Sequence, residues 1–260
     1  MATDFINRDR LADLTVDQFN AVTPYPWVNF DGFLPAEKFA ELHQHFPSLD
    51  LFEFHQNRPR RSGQRPHNRY YLAYETSIYT KIDRTHKGIV QHEALPEVWQ
   101  RFLEELNQSD VYRDFIARML GVNDCSARYA WHIGVTNSEV SPHSDSHKKL
   151  GTHIFYFNTD DDWDPAWGGE LLVLEGKLTK VDNPDFDEFP QAHPIPFLNN
   201  QSFLLKNTPN SWHGVKALTS PEGRCRRLFN VIFELVDAHR KSLASVLCRT
   251  TSRWFSRARP

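Results

Sequence analysis

The sequence predicts a mainly β fold with helices on its N-terminal side, on three observations. From Ser126 onward, short apolar and aromatic runs alternate with turns. ARYAWHIGV, GTHIFYFN, GGELLVL, QSFLLKN and RRLFNVIFEL fall within about 110 residues, which is the texture of an all-β sandwich or barrel. Before residue 122 the apolar residues recur mostly at helical spacing instead. The composition also allows a sizeable core, with 40% hydrophobic residues, 19 Phe and 7 Trp.

Taken in order, residues 8–22 carry a weak helical pattern. Pro24–Leu34, PYPWVNFDGFL, sets Trp27, Asn29 and Asp31 against Val28, Phe30 and Gly32, the alternation of a short strand. PAEKFAELHQHF follows, with Pro35 suited to a first helical turn and Phe39, Leu42 and Phe46 at helical spacing. His55–Arg69 holds Arg58, Arg60, Arg61, Arg65 and Arg69 and no acid, and Pro59, Gly63 and Pro66 make it a loop. This loop reads either as a solvated insertion or as a lid that recognises an anionic substrate. Leu95–Val122 reads as two helices, with Gly121 as the stop. Neither repeat nor low-complexity linker divides the chain. The expected organisation is one domain: a helical and strand part over 1–122, a β core over 123–237 and a basic tail over 238–260.

Several classes of function are disfavoured. A net charge of −3 gives no global field for nucleic acid, and Tyr70 and Tyr71 alone are a thin stacking platform. Cys125, Cys225 and Cys248 are far apart and form no C-x-x-C pair, so neither a disulfide framework nor a thiolate zinc site is expected. The N-terminus lacks a signal-peptide pattern, and no run of about 18 apolar residues exists to span a bilayer. A cytoplasmic protein is expected. The tail reads as a frayed terminal helix, with contact to an anionic membrane surface or a partner as the alternative.

The chemistry concentrates in Ser141–Asn158, SPHSDSHKKLGTHIFYFN. Residues two apart on a strand share a face, so His143 and Asp145 can aim at one point. Alone, H-x-D is a weak signal. His143 and His147 have the spacing of a helical zinc pair, but Ser144 replaces the Glu that hydrolysis needs, and Pro142 argues against a helix. His153 falls on the strand face opposite Thr152 and Tyr156, a surface or second-layer position. A second imidazole, His213 of SWHGV, lies between two apolar runs. Two imidazoles and one carboxylate make the ligand set of non-haem Fe(II) oxygenases. A fixed, permanently charged arginine suits the carboxylate of an oxo-acid co-substrate, and GRCRRLFNVIF offers Arg224, Arg226 and Arg227. Trp163 and Trp167 read as turn and core packing, and Gly168–Gly169 as a tight turn rather than a phosphate loop.

Together these pieces resemble the Fe(II)/2-oxoglutarate-dependent dioxygenases, in particular the prolyl-4-hydroxylase-like branch. THIFYFN followed by WDPAWGGELLV, and PWVNFDGFLPAEKFAELHQHFP nearer the N-terminus, look like that branch's segments, so the resemblance spans most of 24–236. It implies a double-stranded β-helix (jelly-roll) core with N-terminal helices packed on one sheet. It implies iron on His143, Asp145 and His213, 2-oxoglutarate and O2 as co-substrates, and ascorbate as an accessory reductant. It places the distal 2-oxoglutarate carboxylate on Arg226. The family's R-x-S or R-x-T is Arg226-Arg227-Leu228 here, so Arg224 stays a competitor. Tyr156 would bond the co-substrate with Thr152 nearby, and Leu171 would pack on its methylenes. Tyr129 and Trp131 are candidates for the pocket wall. Asp145, where halogenases have Ala or Gly, implies hydroxylation. The substrate is left as a small molecule or peptide, an anionic one if the Arg-rich loop is a lid. A non-catalytic jelly-roll metal- or ligand-binding protein and a zinc-dependent hydrolase stay open as alternatives.

Overall fold

The computed structural model describes residues 5–56, 67–76 and 87–235. Arg58, Arg60, Arg61 and Arg65 of the Arg-rich loop, and the basic tail, lie outside the described residues.

Among the described residues the N-terminal region forms five α-helices. The weak pattern over 8–22 resolves into two of them, α1 (Arg8–Ala12) and α2 (Val16–Asn20), because Thr15 and Gln18 close a capping box that starts a new helix. After strand β1 (Trp27–Asp31) comes α3 (Ala36–Gln44). Later α4 (Glu97–Gln108) and α5 (Asp110–Leu120) meet at Ser109, whose hydroxyl accepts from the Tyr112 N–H at 3.4 Å. Gly121 ends α5 at φ 71°, a left-handed cap that suits glycine. Among the described residues no helix is long and apolar enough to cross a membrane.

The remaining strands are β2 (Glu53–His55), β3 (Arg69–Tyr74), β4 (Ile89–Val90), β5 (Ser126–Gly134), β6 (Val140–His143), β7 (Lys149–Tyr156), β8 (Leu171–Glu175), β9 (Gln191–Ile195), β10 (Gln201–Lys206), β11 (His213–Val215) and β12 (Arg226–Glu234). A major sheet runs β1-β10-β7-β12-β5-β3-β2, with β4 beside β3, and a minor sheet runs β6-β11-β8-β9. Among the described strands the pairings are antiparallel except that of β3 with β4.

The pleat of the major sheet separates two cores. One face carries Tyr129, Trp131, Phe155, Phe229 and Val231 against Trp99, Phe102 and Phe115 of the helices. The other carries Ile154, Tyr156 and Leu228 against Leu171, Val173 and Val215 of the minor sheet. Tyr129 and Trp131 therefore do not line a pocket between the sheets. They face the helices, where Trp131 sits 5.3 Å from Trp99, ring to ring. Burying several aromatic rings under α4 sets this register; nothing local to the strand does.

Candidate metal centre and its cavity

Strands β6 and β11 pair with His143 directly opposite His213, and the two ring centroids are 4.4 Å apart. Asp145 follows just beyond β6, its Oδ1 3.9 Å from His143 Nε2. Donor atoms of these three residues all lie within 4.8 Å of one another. Each imidazole is fixed in the same way. His143 Nδ1 lies 3.0 Å from the Ser141 carbonyl, and His213 Nδ1 lies 2.9 Å from the Ser211 carbonyl. A carbonyl only accepts, so each Nδ1 carries the proton and each Nε2 keeps its lone pair for a metal.

The carboxylate is prepared as well. Burial would raise the Asp145 pKa, but Lys149, His213 and His143 outweigh it and hold the carboxyl well below the usual range. Lys149 Nζ donates to Asp145 Oδ1 at 2.6 Å. Asp145 is thus an anion at neutral pH, and two neutral imidazoles with one anion is a donor set that fits a divalent iron.

The triad opens on a cavity between the two sheets, whose other wall includes Thr152, Ile154, Leu171, Arg226, Leu228 and Asn230. Of the three neighbouring arginines only Arg226 faces it. Its Nε donates to the Gly169 carbonyl at 2.6 Å, and its guanidinium lies 5.3 Å from the Tyr156 ring and 5.4 Å from Phe197. Among the described residues no ion pair engages this buried cation. A buried cation of this kind calls for an anion. Gly169 is at φ +111°, and a Cβ there would stand 3.0 Å from Arg226 Cδ, so the turn of Gly168–Gly169 makes room for the arginine. Arg227 points to the opposite face, bound to Asp162 and, at 2.9 Å, to His43 Nε2. Arg224 lies on the surface, 5.8 Å from the Trp167 ring.

Burial pushes the Tyr156 hydroxyl up to about 12 against the pull of Arg226, so it remains a donor. The Thr152 hydroxyl is buried without a hydrogen-bond partner, as is the side-chain oxygen of Asn230. The Thr152 and Tyr156 hydroxyls and the guanidinium, which can all donate, suit a dicarboxylate such as 2-oxoglutarate; the Asn230 oxygen, an acceptor, does not.

His147 is exposed, and His143 lies in a strand, so the helical zinc pair does not form. His153 turns to the helix side, fully buried between the Tyr112 hydroxyl at 3.0 Å and the Ser202 hydroxyl at 3.1 Å. Trp163 is core, its indole N–H bound to the Gly168 carbonyl at 2.8 Å, and Trp167 packs edge-on against it. Sequence reasoning missed His132 and Arg128, which line the cavity from β5. Their place follows from the pairing of His132 with Leu228, a register with no local signal.

No family model matches the chain, and no curated protein matches it. Solved structures do. The chain is similar to a prolyl-4-hydroxylase from Pseudomonas putida, with 16% identity over 87% of this chain and 100% of that one and a TM-score of 0.54. It is similar to SnoK, a non-haem α-ketoglutarate-dependent carbocyclase from nogalamycin biosynthesis, with 12% identity over 88% and 87% of the two chains and a TM-score of 0.54. A prolyl hydroxylase from Trichoplax adhaerens, solved with a hypoxia inducible factor peptide, matches at 14% identity over 87% and 90%, TM-score 0.50. At such identities the likeness speaks for the fold, and the fold is the double-stranded β-helix, a jelly roll with helices packed on its major sheet.

Proposed function

We propose that this chain is an Fe(II)/2-oxoglutarate-dependent oxygenase that hydroxylates an unactivated C–H bond, with release of succinate and CO2. One observation carries the reading: a His-Asp-His cluster and a buried, unpaired arginine share one cavity between the sheets.

His143, Asp145 and His213 would hold the ferrous ion, and Arg226 would take the far carboxylate of 2-oxoglutarate. Iron, the oxo-acid and O2 supply the oxidising power, with ascorbate as an accessory reductant. The chain's own work is binding, orientation and protection. The Ser141 and Ser211 carbonyls fix the histidine tautomers, and Lys149 keeps Asp145 ionised. Tyr156 stands beside Arg226 as a hydroxyl donor, Thr152 offers a second hydroxyl farther along β7, and Leu171 gives an apolar surface for methylenes. A carboxylate at position 145 supports hydroxylation over halogenation, since it occupies the position a halide needs. The reading treats the chain as one dioxygenase unit. Free thiols at Cys125 and Cys225 suit a reducing, cytoplasmic setting.

The test is anaerobic addition of Fe(II) and then 2-oxoglutarate, watching for the weak visible charge-transfer band of the chelate. Appearance of the band supports the reading. Iron binding without the band points away from 2-oxoglutarate, and no iron binding removes the oxygenase reading altogether. Turnover that persists without O2 would mark a zinc hydrolase instead.

A further inference from the structure

The cavity extends past the triad to a second polar region that the co-substrate would not use. His132 stands there on β5, 5% exposed, and neither ring nitrogen has a hydrogen-bond partner. Buried polar groups in folded proteins are almost always satisfied, so an imidazole that lines a cavity with both nitrogens unpartnered marks a place where a ligand belongs. The surroundings are cationic. Burial holds the His132 pKa well below the usual histidine value, and Arg69, His55, Lys149 and Arg128 push it further down, so the ring is neutral. The side-chain oxygen of Asn230 is orphaned on the neighbouring strand β12.

The charge balance of the cavity wall is positive. Arg69, Arg128, Lys149 and Arg226 line it against two carboxylates, Glu139 and Asp145. Lys149 is committed to Asp145, and one arm of Arg128 reaches Glu234 at 3.1 Å. Counting Glu234 with Arg128, four cations face three carboxylates; a divalent metal and a dianionic co-substrate would cancel one another, so filling the first half of the site would leave one positive charge in excess.

We infer that the region bounded by Arg69, Arg128, His132 and Asn230 is the substrate pocket, and that it takes a small molecule bearing an oxyanion, carboxylate or phosphate. The oxyanion is set against Arg69 and Arg128. A hydroxyl or amine elsewhere on the molecule can serve His132 and Asn230, since neutral imidazole both donates and accepts and the amide adds an acceptor. The inference rests on the proposed oxygenase reading only for which half of the cavity the co-substrate fills.

The test is calorimetric titration of the full chain, loaded with redox-silent Mn(II) and saturating 2-oxoglutarate, using benzoate, phenyl phosphate and the neutral isostere benzamide. At least one of the two anions should bind, and benzamide at least about tenfold more weakly. Which anion binds tighter separates a carboxylate from a phosphate substrate. Arg128→Gln and Arg69→Gln should each weaken the anion by about tenfold or more while leaving 2-oxoglutarate affinity unchanged. His132→Phe should leave the anion's affinity within about threefold but remove the preference for 3-hydroxybenzoate over benzoate. Failure of both anions to bind, equal binding of benzamide, or anion binding that survives both Gln variants would each overturn the inference. If 2-oxoglutarate itself does not bind, the oxygenase reading fails. The same titration without metal or co-substrate then judges the oxyanion pocket separately, through its dependence on Arg69 and Arg128.

Discussion

Arg226 and Arg227 are adjacent in the chain and do opposite jobs. The pleat sends one into the cavity, where a turn carbonyl and aromatic rings meet it, and the other outward to Asp162 and His43. Arg226→Ala should therefore raise the KM for 2-oxoglutarate about tenfold or more, since a hydrogen bond to a charged group is worth about 1.5–3 kcal/mol. Arg224→Ala should leave it unchanged, and steady-state kinetics on both variants decides between them. Asp145→Ala should abolish iron-dependent turnover while circular dichroism stays that of the parent; retained activity would remove Asp145 from the triad. At this scale the sequence was legible where a face follows from a spacing of two, as for Arg226 with Leu228 in β12; His143 and Asp145 also meet, although Asp145 lies just past the end of β6. It was not legible where the face depends on a partner strand. Tyr129 and Trp131 turned to the helices and His132 to the cavity because aromatic packing against α4 chose the register of β5.

Among elements, the long strands announced themselves and the short ones did not. β5, β7 and β12 are eight or nine residues of apolar and aromatic alternation, enough for a period to show. β6 and β11 have four and three residues, too few for any period, yet they carry both histidines. β6 contains Pro142 and β9 contains Pro194, residues that argue against a strand until tertiary pairing places them at an edge. Strand β7 lies inside the major sheet between β10 and β12 and is closely packed at Gly151. A Cβ on Gly151 would stand 2.4 Å from the Leu205 carbonyl oxygen and 2.7 Å from Leu120 Cδ2. Neither the backbone of β10 nor the end of α5 can retreat cheaply. Gly151→Ala should cost roughly 1–3 kcal/mol in urea unfolding, and an unchanged midpoint would show that the sheet yields there.

For the molecule as a whole, the two cores hide histidines that must stay neutral. Burial lowers the His153 pKa from 6.5 to about 3, and burial with nearby cations lowers that of His132. Unfolded chain binds protons at these positions before the folded protein does. Their contribution to stability is complete above about pH 6.5 and is lost as pH falls toward the folded values. Each group removes up to about 1.4 kcal/mol per pH unit in that window. The urea midpoint should hold between pH 8 and 7 and fall steadily between pH 6 and 4. A midpoint independent of pH down to 4 would mean that both rings find water or relax outward.

His143 and His213 face one another across two of the shortest strands, each steadied by a carbonyl two residues back on its own chain segment. An ion bound by both imidazoles would act as a staple across the minor sheet, closing a long loop without a covalent bond. Metal binding and closure of that sheet then become a single equilibrium. At a free metal concentration one hundred times the dissociation constant, the staple adds about 2.7 kcal/mol. Thermal unfolding should therefore shift upward with Mn(II), shift back with EDTA, and lose this response in His213→Ala. If the cluster holds a metal in this way, the metal-free chain should be the one degraded faster, so metal supply would set how long the protein lasts as well as whether it works.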